Sequence, residues 1–234
     1  MTSRVLRNIV FFPIVIVGLY PGLLSQQNQD DQELAKYLEK SVIVHAEVWK
    51  QNYCHVDDES FTASLDLKLR FTNSSGRSVI LSRKIEPPSI IRVARNAEEA
   101  NRNEFLYAPD VHFAVTNPLP DAPSFGEAPD PELFILLAPG ENFETVVPAA
   151  VFGLNDATKV KEGNGLLAKG RYELQIGVYT WPYEWPYFAE KIGPQELKER
   201  WTKYGDLATG LVYSDFAAFT LPERFKNPRC SSKP

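Results

Sequence analysis

The sequence predicts an all-β fold, antiparallel strands stacked as a sandwich, and three observations carry that prediction. Phe61, Ala63, Leu65, Leu67, Leu69 and Phe71 alternate with Thr62, Ser64, Asp66, Lys68, Arg70 and Thr72, the period of a strand with one face in a core and one in water. Short apolar runs recur along the chain between clusters of Gly, Pro, Asn and Ser, the residues that make turns. Helical spacing is confined to brief stretches. The 234 residues, 44% hydrophobic and 24% charged, suffice for one buried core and exclude a disordered chain.

Residues 1–25 have the layout of a secretory signal: Arg4 and Arg7 without an acid, then an uncharged apolar run from Ile9 to Leu24. That run is interrupted by Pro13, Gly18, Pro21 and Gly22 and is shorter than the roughly 20 residues of a membrane span. A cleaved signal and an exported chain, periplasmic or secreted, with no membrane span after cleavage, are expected. An uncleaved N-terminal anchor is the alternative, because Leu23 is larger than a small-x-small cleavage pattern prefers. Lys and Arg number 25 against 30 Asp and Glu, which argues against a nucleic-acid partner.

Over 26–40, Leu34, Tyr37 and Leu38 recur at helical spacing, a short helical lead-in. The sandwich is expected over 41–222 and a flexible polar tail over 223–234. In Val42 to Trp49 the side chains of Val42, Val44, Ala46 and Val48 share one face and His45 and Glu47 the other. Asn73-Ser74-Ser75-Gly76 is a turn after the long strand, and Val79 to Ser82 begins the next one, which Pro87-Pro88 ends. Ile90 to Ala94 and Val111 to Val115 are further strands around a polar segment, Arg95 to Glu104, suited to a helical turn. Five prolines between Asn117 and Pro131 make a surface loop. Leu133 to Leu137 and Phe143 to Val147 flank Ala138-Pro139-Gly140-Glu141, a hairpin or an inter-sheet turn.

A late strand follows, with Tyr172, Leu174, Ile176 and Val178 on one face. Leu167, Gly170 and Tyr172 at its start resemble the tyrosine corner of immunoglobulin-like and fibronectin-like sandwiches. Gly210 to Leu221 resembles the closing strand of such domains in bacterial exported proteins. The resemblance implies an immunoglobulin-like antiparallel sandwich in which the Tyr172 phenol bonds to upstream backbone. It departs from antibody domains, since Leu174 stands where a second bridging cysteine would be. It implies architecture and no activity.

Between the last two strands stands Trp181-Pro182-Tyr183-Glu184-Trp185-Pro186-Tyr187-Phe188, a near-duplicate unit. A short inserted helix is expected after it, opening at Pro194, with Leu197, Trp201 and Tyr204 as its buried stripe and Gly205 as its C-terminal cap. Two readings of the aromatics compete. They form a satellite cluster under a long connection, or Trp181, Tyr183, Trp185 and Tyr187 form a binding face. Trp201 is structural under both.

Chemistry is sparse. Cys54 and Cys230, the two cysteines, form a disulfide or remain a buried thiol and a mobile one. His45, His55 and His112 show no metal-pair spacing, and Cys54-His55-Val56-Asp57-Asp58-Glu59 reads as an acid-rich turn before it reads as a metal site. Asn73-Ser74-Ser75 matches a glycosylation acceptor as well as a turn. No nucleophile elbow, phosphate loop or dinucleotide glycine motif occurs, so no catalytic residue, cofactor or metal is assigned. The expected function is an exported, non-catalytic binding or structural-accessory sandwich directed at a protein or peptide. Carbohydrate binding through 181–188 is the alternative. Behind it stand a protease inhibitor and a hydrolase pairing Glu184 with Asp215 or Glu190.

Overall fold

A computed structural model of the chain describes residues 40–85, 87–88, 90–106, 125–155, 158, 167–182, 194–222 and 229, all within the compact unit Lys36–Pro234. The elements in chain order are β1 (Val42–His55), β2 (Ser60–Asn73), β3 (Val79–Ser82), β4 (Ile90–Ala94), α1 (Ala97–Asn101), β5 (Phe134–Leu137), β6 (Asn142–Leu154) and β7 (Gly170–Tyr179). They are followed by α2 (Pro194–Trp201), β8 (Asp206–Leu207), β9 (Leu211–Tyr213) and β10 (Ala217–Leu221). The expected signal over 1–25, all of the lead-in over 26–40 except Lys40, the strand expected at 111–115, residues 183–193 and all of the tail except Arg229 lie outside the described residues.

The strands form a predominantly β fold of several open sheets. The first has the order β1-β2-β6; the second has β10-β7-β4, with β9 also on β7; the third has β5-β3-β8. Pairing is antiparallel except between β3 and β8. One apolar core draws on all three. Val44, Leu65, Leu67, Leu69, Phe71 and Val151 come from the first sheet, Val93, Leu174, Ile176 and Phe219 from the second, and Val79, Leu81 and Leu137 from the third. Period-2 alternation decides which side of each strand enters it. This arrangement is compatible with a β-sandwich.

The middle strand of the third sheet is buried on both faces. Val79 and Leu81 enter the main core, while Ile80 joins Phe134, Trp181, Leu197, Trp201 and Leu207 in a second, aromatic-rich core beneath α2. At the start of β7, the buried Tyr172 donates its hydroxyl to the carbonyl of Ala168 at 2.9 Å. Burial is also what raises the Tyr172 phenol above its ordinary pKa. Gly170, with φ +152°, takes the backbone into that corner where a Cβ is disfavoured.

Several expected boundaries change. β1 continues to His55 by means of a bulge between Val48 and Lys50, where the extra residue restarts the alternation. β6 runs straight through Pro148, which pairs opposite Asp66; an edge strand tolerates the missing donor when it faces outward. The 138–141 turn, with Gly140 at φ +80°, joins two sheets, because β5 pairs with β3 and β6 with β2. The expected closing strand divides into β9 and β10, whose registers on β7 differ by one residue across Ser214–Phe216, so α2 precedes three strands. α2 ends at Trp201, leaving Tyr204 37% exposed, outside the expected stripe. Gly205 owes its place to close packing: a Cβ there would lie 2.6 Å from the Ser78 carbonyl oxygen. Among the described residues no helix is long and apolar enough to cross a membrane.

Candidate functional site

The first sheet has two edges, and the fold handles them in opposite ways. On β6, the Leu154 N–H donates to the Leu167 carbonyl and the Leu167 N–H to the Phe152 carbonyl. The even-numbered residues of β6 therefore direct their backbone groups away from β2. From Phe143 to Val151 the backbone bonds to β2 alone; no other described residue hydrogen-bonds to the outward backbone groups of Glu144, Val146, Pro148 and Ala150. Side chains at the same positions lie on the outer sheet face, and Val146 and Phe152 are 45% and 46% exposed. Glu144 is the polar exception, bound to Lys68 at 2.8 Å and Arg70 at 2.7 Å. The hydrogen bonds from Lys68 and Arg70 hold its carboxyl below the ordinary value.

On β1 the edge is covered near both ends. The Asp215 N–H donates to the Val44 carbonyl at 3.0 Å; its carboxylate accepts the Ala46 N–H at 2.9 Å and bonds to His45 Nδ1. The bulge at Ser214–Phe216 makes this contact, since it turns the closing strand out of β7 and onto β1. At the far end, Arg229 bridges His55 and pairs with Asp58 at 3.2 Å, and Cys54 is disulfide-bonded. Cys230 itself lies outside the described residues.

Of the four aromatics singled out as a binding face, Tyr183, Trp185 and Tyr187 lie outside the described residues. Trp181 is 3% exposed, stacked on Phe134 at 5.9 Å and tilted against Phe125 at 5.5 Å. Its ring is packed into the aromatic core and is not presented to a ligand. Trp201 lies in the same cluster, edge-on to Phe134 at 5.0 Å, and its indole N–H donates to the Gly126 carbonyl at 3.0 Å. Among the described residues the tryptophan that does face water is Trp49, 54% exposed at the β1 bulge with Lys50 Nζ 4.3 Å from its ring centroid. Sequence reasoning passed over it because a bulge residue belongs to neither phase of the alternation.

The acid-rich turn after β1 is a local structure. Asp57 accepts the N–H groups of Glu59 and Ser60 at 2.8 and 2.6 Å, and its carboxyl is held below its ordinary value first by the Ser60 side chain and then by these two backbone donors. Among the described residues no group of three or more His, Cys, Asp or Glu is placed to hold a metal ion. Asp215, once weighed as half of a hydrolytic pair, is engaged with β1; Glu184 and Glu190 lie outside the described residues. No protein-family model, no curated protein and no solved structure matches the chain.

Proposed function

We propose that the chain is an exported, non-catalytic, immunoglobulin-like β-sandwich that binds an extended peptide segment of a partner protein along the free edge of β6. The observation that carries this reading is the uncapped row of outward backbone groups between Phe143 and Val151. A row of unpaired N–H and C=O groups is a template for strand addition, in which main-chain bonds give affinity and alternate side chains give selectivity. Val146 and Phe152 supply the outer-face apolar contacts such a strand would meet. Pro148 removes one outward donor, so only a segment in the register that avoids it pairs well. The immunoglobulin-like architecture is supported by the Tyr172 bond to Ala168, and export by the arginine-flanked apolar start of the chain.

The test is selection of displayed peptides on the immobilised chain, followed by Val146→Lys. This substitution lies on the exposed face of an edge strand, so stability is expected to stay within about 0.5 kcal/mol. Selected peptides should alternate apolar and polar residues, and their affinity should fall at least about tenfold with the edge lysine. Binders indifferent to Val146→Lys would place the site elsewhere.

A further inference from the structure

On the second sheet, Arg92 of β4 is a half-buried cation whose bonding partners are all neutral. Its Nη2 donates to the Tyr213 hydroxyl at 3.1 Å and its Nη1 to Gln175 Oε1 at 3.5 Å. Its guanidinium carbon lies 4.3 Å from the Tyr213 ring centroid and 5.3 Å from that of Phe105. Among the described residues no carboxylate pairs with it, whereas Arg70, Arg77, Arg95, Arg102, Arg200 and Arg229 each have one; Arg83 and Arg171, which likewise have none among the described residues, are exposed to water. A partly desolvated charge without a counter-charge is costly.

The surroundings hold the guanidinium in place. Gln175 lies opposite Arg92 in the ladder, and its Nε2 donates to the Ser214 carbonyl at 3.0 Å, which turns its oxygen toward the arginine. Tyr213 lies opposite Gly177, where a Cβ would come 3.1 Å from the tyrosine ring; glycine thus leaves the ring room to lean over Arg92. Phe105 is brought against the guanidinium by the Leu106 N–H, which donates to the Val93 carbonyl at 2.8 Å. Among the described residues the Nε–H and the remaining Nη hydrogens have no partner, and contact with the two rings restrains the guanidinium that carries them.

We propose that Arg92, held by Tyr213, Phe105 and Gln175, is a binding site for a carboxylate carried on an apolar group. The single cation matches a monoanion, and a carboxylate takes the guanidinium's parallel donors as a bidentate pair. The aromatic faces receive the carbon attached to it, whereas a phosphate dianion would leave charge uncompensated. Both a small aryl or alkyl acid and the C-terminus of a protein chain carry this chemistry. The site shares no residue with the β6 edge, so either assignment can fail without the other.

The experiment is a titration of the 15N-labelled chain followed at the Arg92 Nε–H resonance, at constant ionic strength. The probes are phenylacetate, chloride, and one apolar tripeptide with a free and with an amidated C-terminus. A saturable shift with phenylacetate and none with chloride is expected. Arg92→Lys, which keeps the charge and loses the fork, should weaken phenylacetate binding at least about tenfold as read at the Tyr213 ring protons. A response to the free but not the amidated tripeptide identifies a chain terminus as a competent source; a response to phenylacetate alone identifies a small acid. No saturable shift with either acid, an equal shift with chloride, or undiminished binding in Arg92→Lys would overturn the proposal.

Discussion

The two outer strands of the β1-β2-β6 sheet pair with the same central strand, yet only one has its far edge covered. β1 is met at Val44 and Ala46 by Asp215 and at His55 by Arg229, whereas between Phe143 and Val151 the outward backbone groups of β6 form no hydrogen bond with any described residue. Both edges border strands of similar length, 14 and 13 residues, so length does not account for the difference. A long uncovered edge invites association with other chains. The fold places its edge contacts on β1, at Val44, Ala46 and His55, which leaves β6 the edge with the longer uncovered run among the described residues.

The largest expected effect comes from loosening the far end of the covered edge. We propose that Cys54 pairs with Cys230; Cys54→Ser should then cost about 2–5 kcal/mol, since the bridge closes a loop of most of the domain. Thermal unfolding with and without reductant measures this, and a parent insensitive to reductant would count against the pairing. Asp215→Ala opens the near end by removing the bonds to Ala46 and His45; about 1–2 kcal/mol is expected, read as a shift in urea midpoint at unchanged slope. Pro148→Ala acts on the open edge and should change stability by less than about 1 kcal/mol. It restores an outward donor, and sedimentation should show concentration-dependent self-association that the parent lacks. A strictly monomeric Pro148→Ala chain would mean that the proline does not guard this edge.

Much of this architecture was legible in local pattern. The alternation from Phe61 to Phe71 marked β2 and its buried face, because a strand between two neighbours with one solvated side repeats at period 2 without interruption. Tyr172 and Trp201 were placed correctly in strand and helix, each by spacing to apolar neighbours. What escaped was set by distant contacts. Trp49 adds a residue to β1 and reverses the phase, so the strand seemed to stop where it merely bulges. Ile80 and Leu81 are buried on opposite faces, and a four-residue apolar run carries no sign of a second core above it. Gly205 does reach back to the helix end, its N–H donating to the Trp201 carbonyl at 3.3 Å, but what calls for a glycine there is close packing on Ser78, far away in sequence. The edges themselves were illegible, since which strand ends a sheet is decided by pairing and not by composition.

Amide hydrogen exchange, resolved residue by residue, tests the contrast between the edges most directly. The account predicts that Ala46, whose N–H is held by Asp215, exchanges as slowly as its neighbours on β1. On β6 the rates should alternate: Thr145, Val147, Ala149 and Val151 protected by β2, and Glu144, Val146 and Ala150 faster by at least about a hundredfold. Slow exchange at Glu144, Val146 and Ala150 in the isolated chain would show that this edge is already covered, and the proposed binding surface would fall with it.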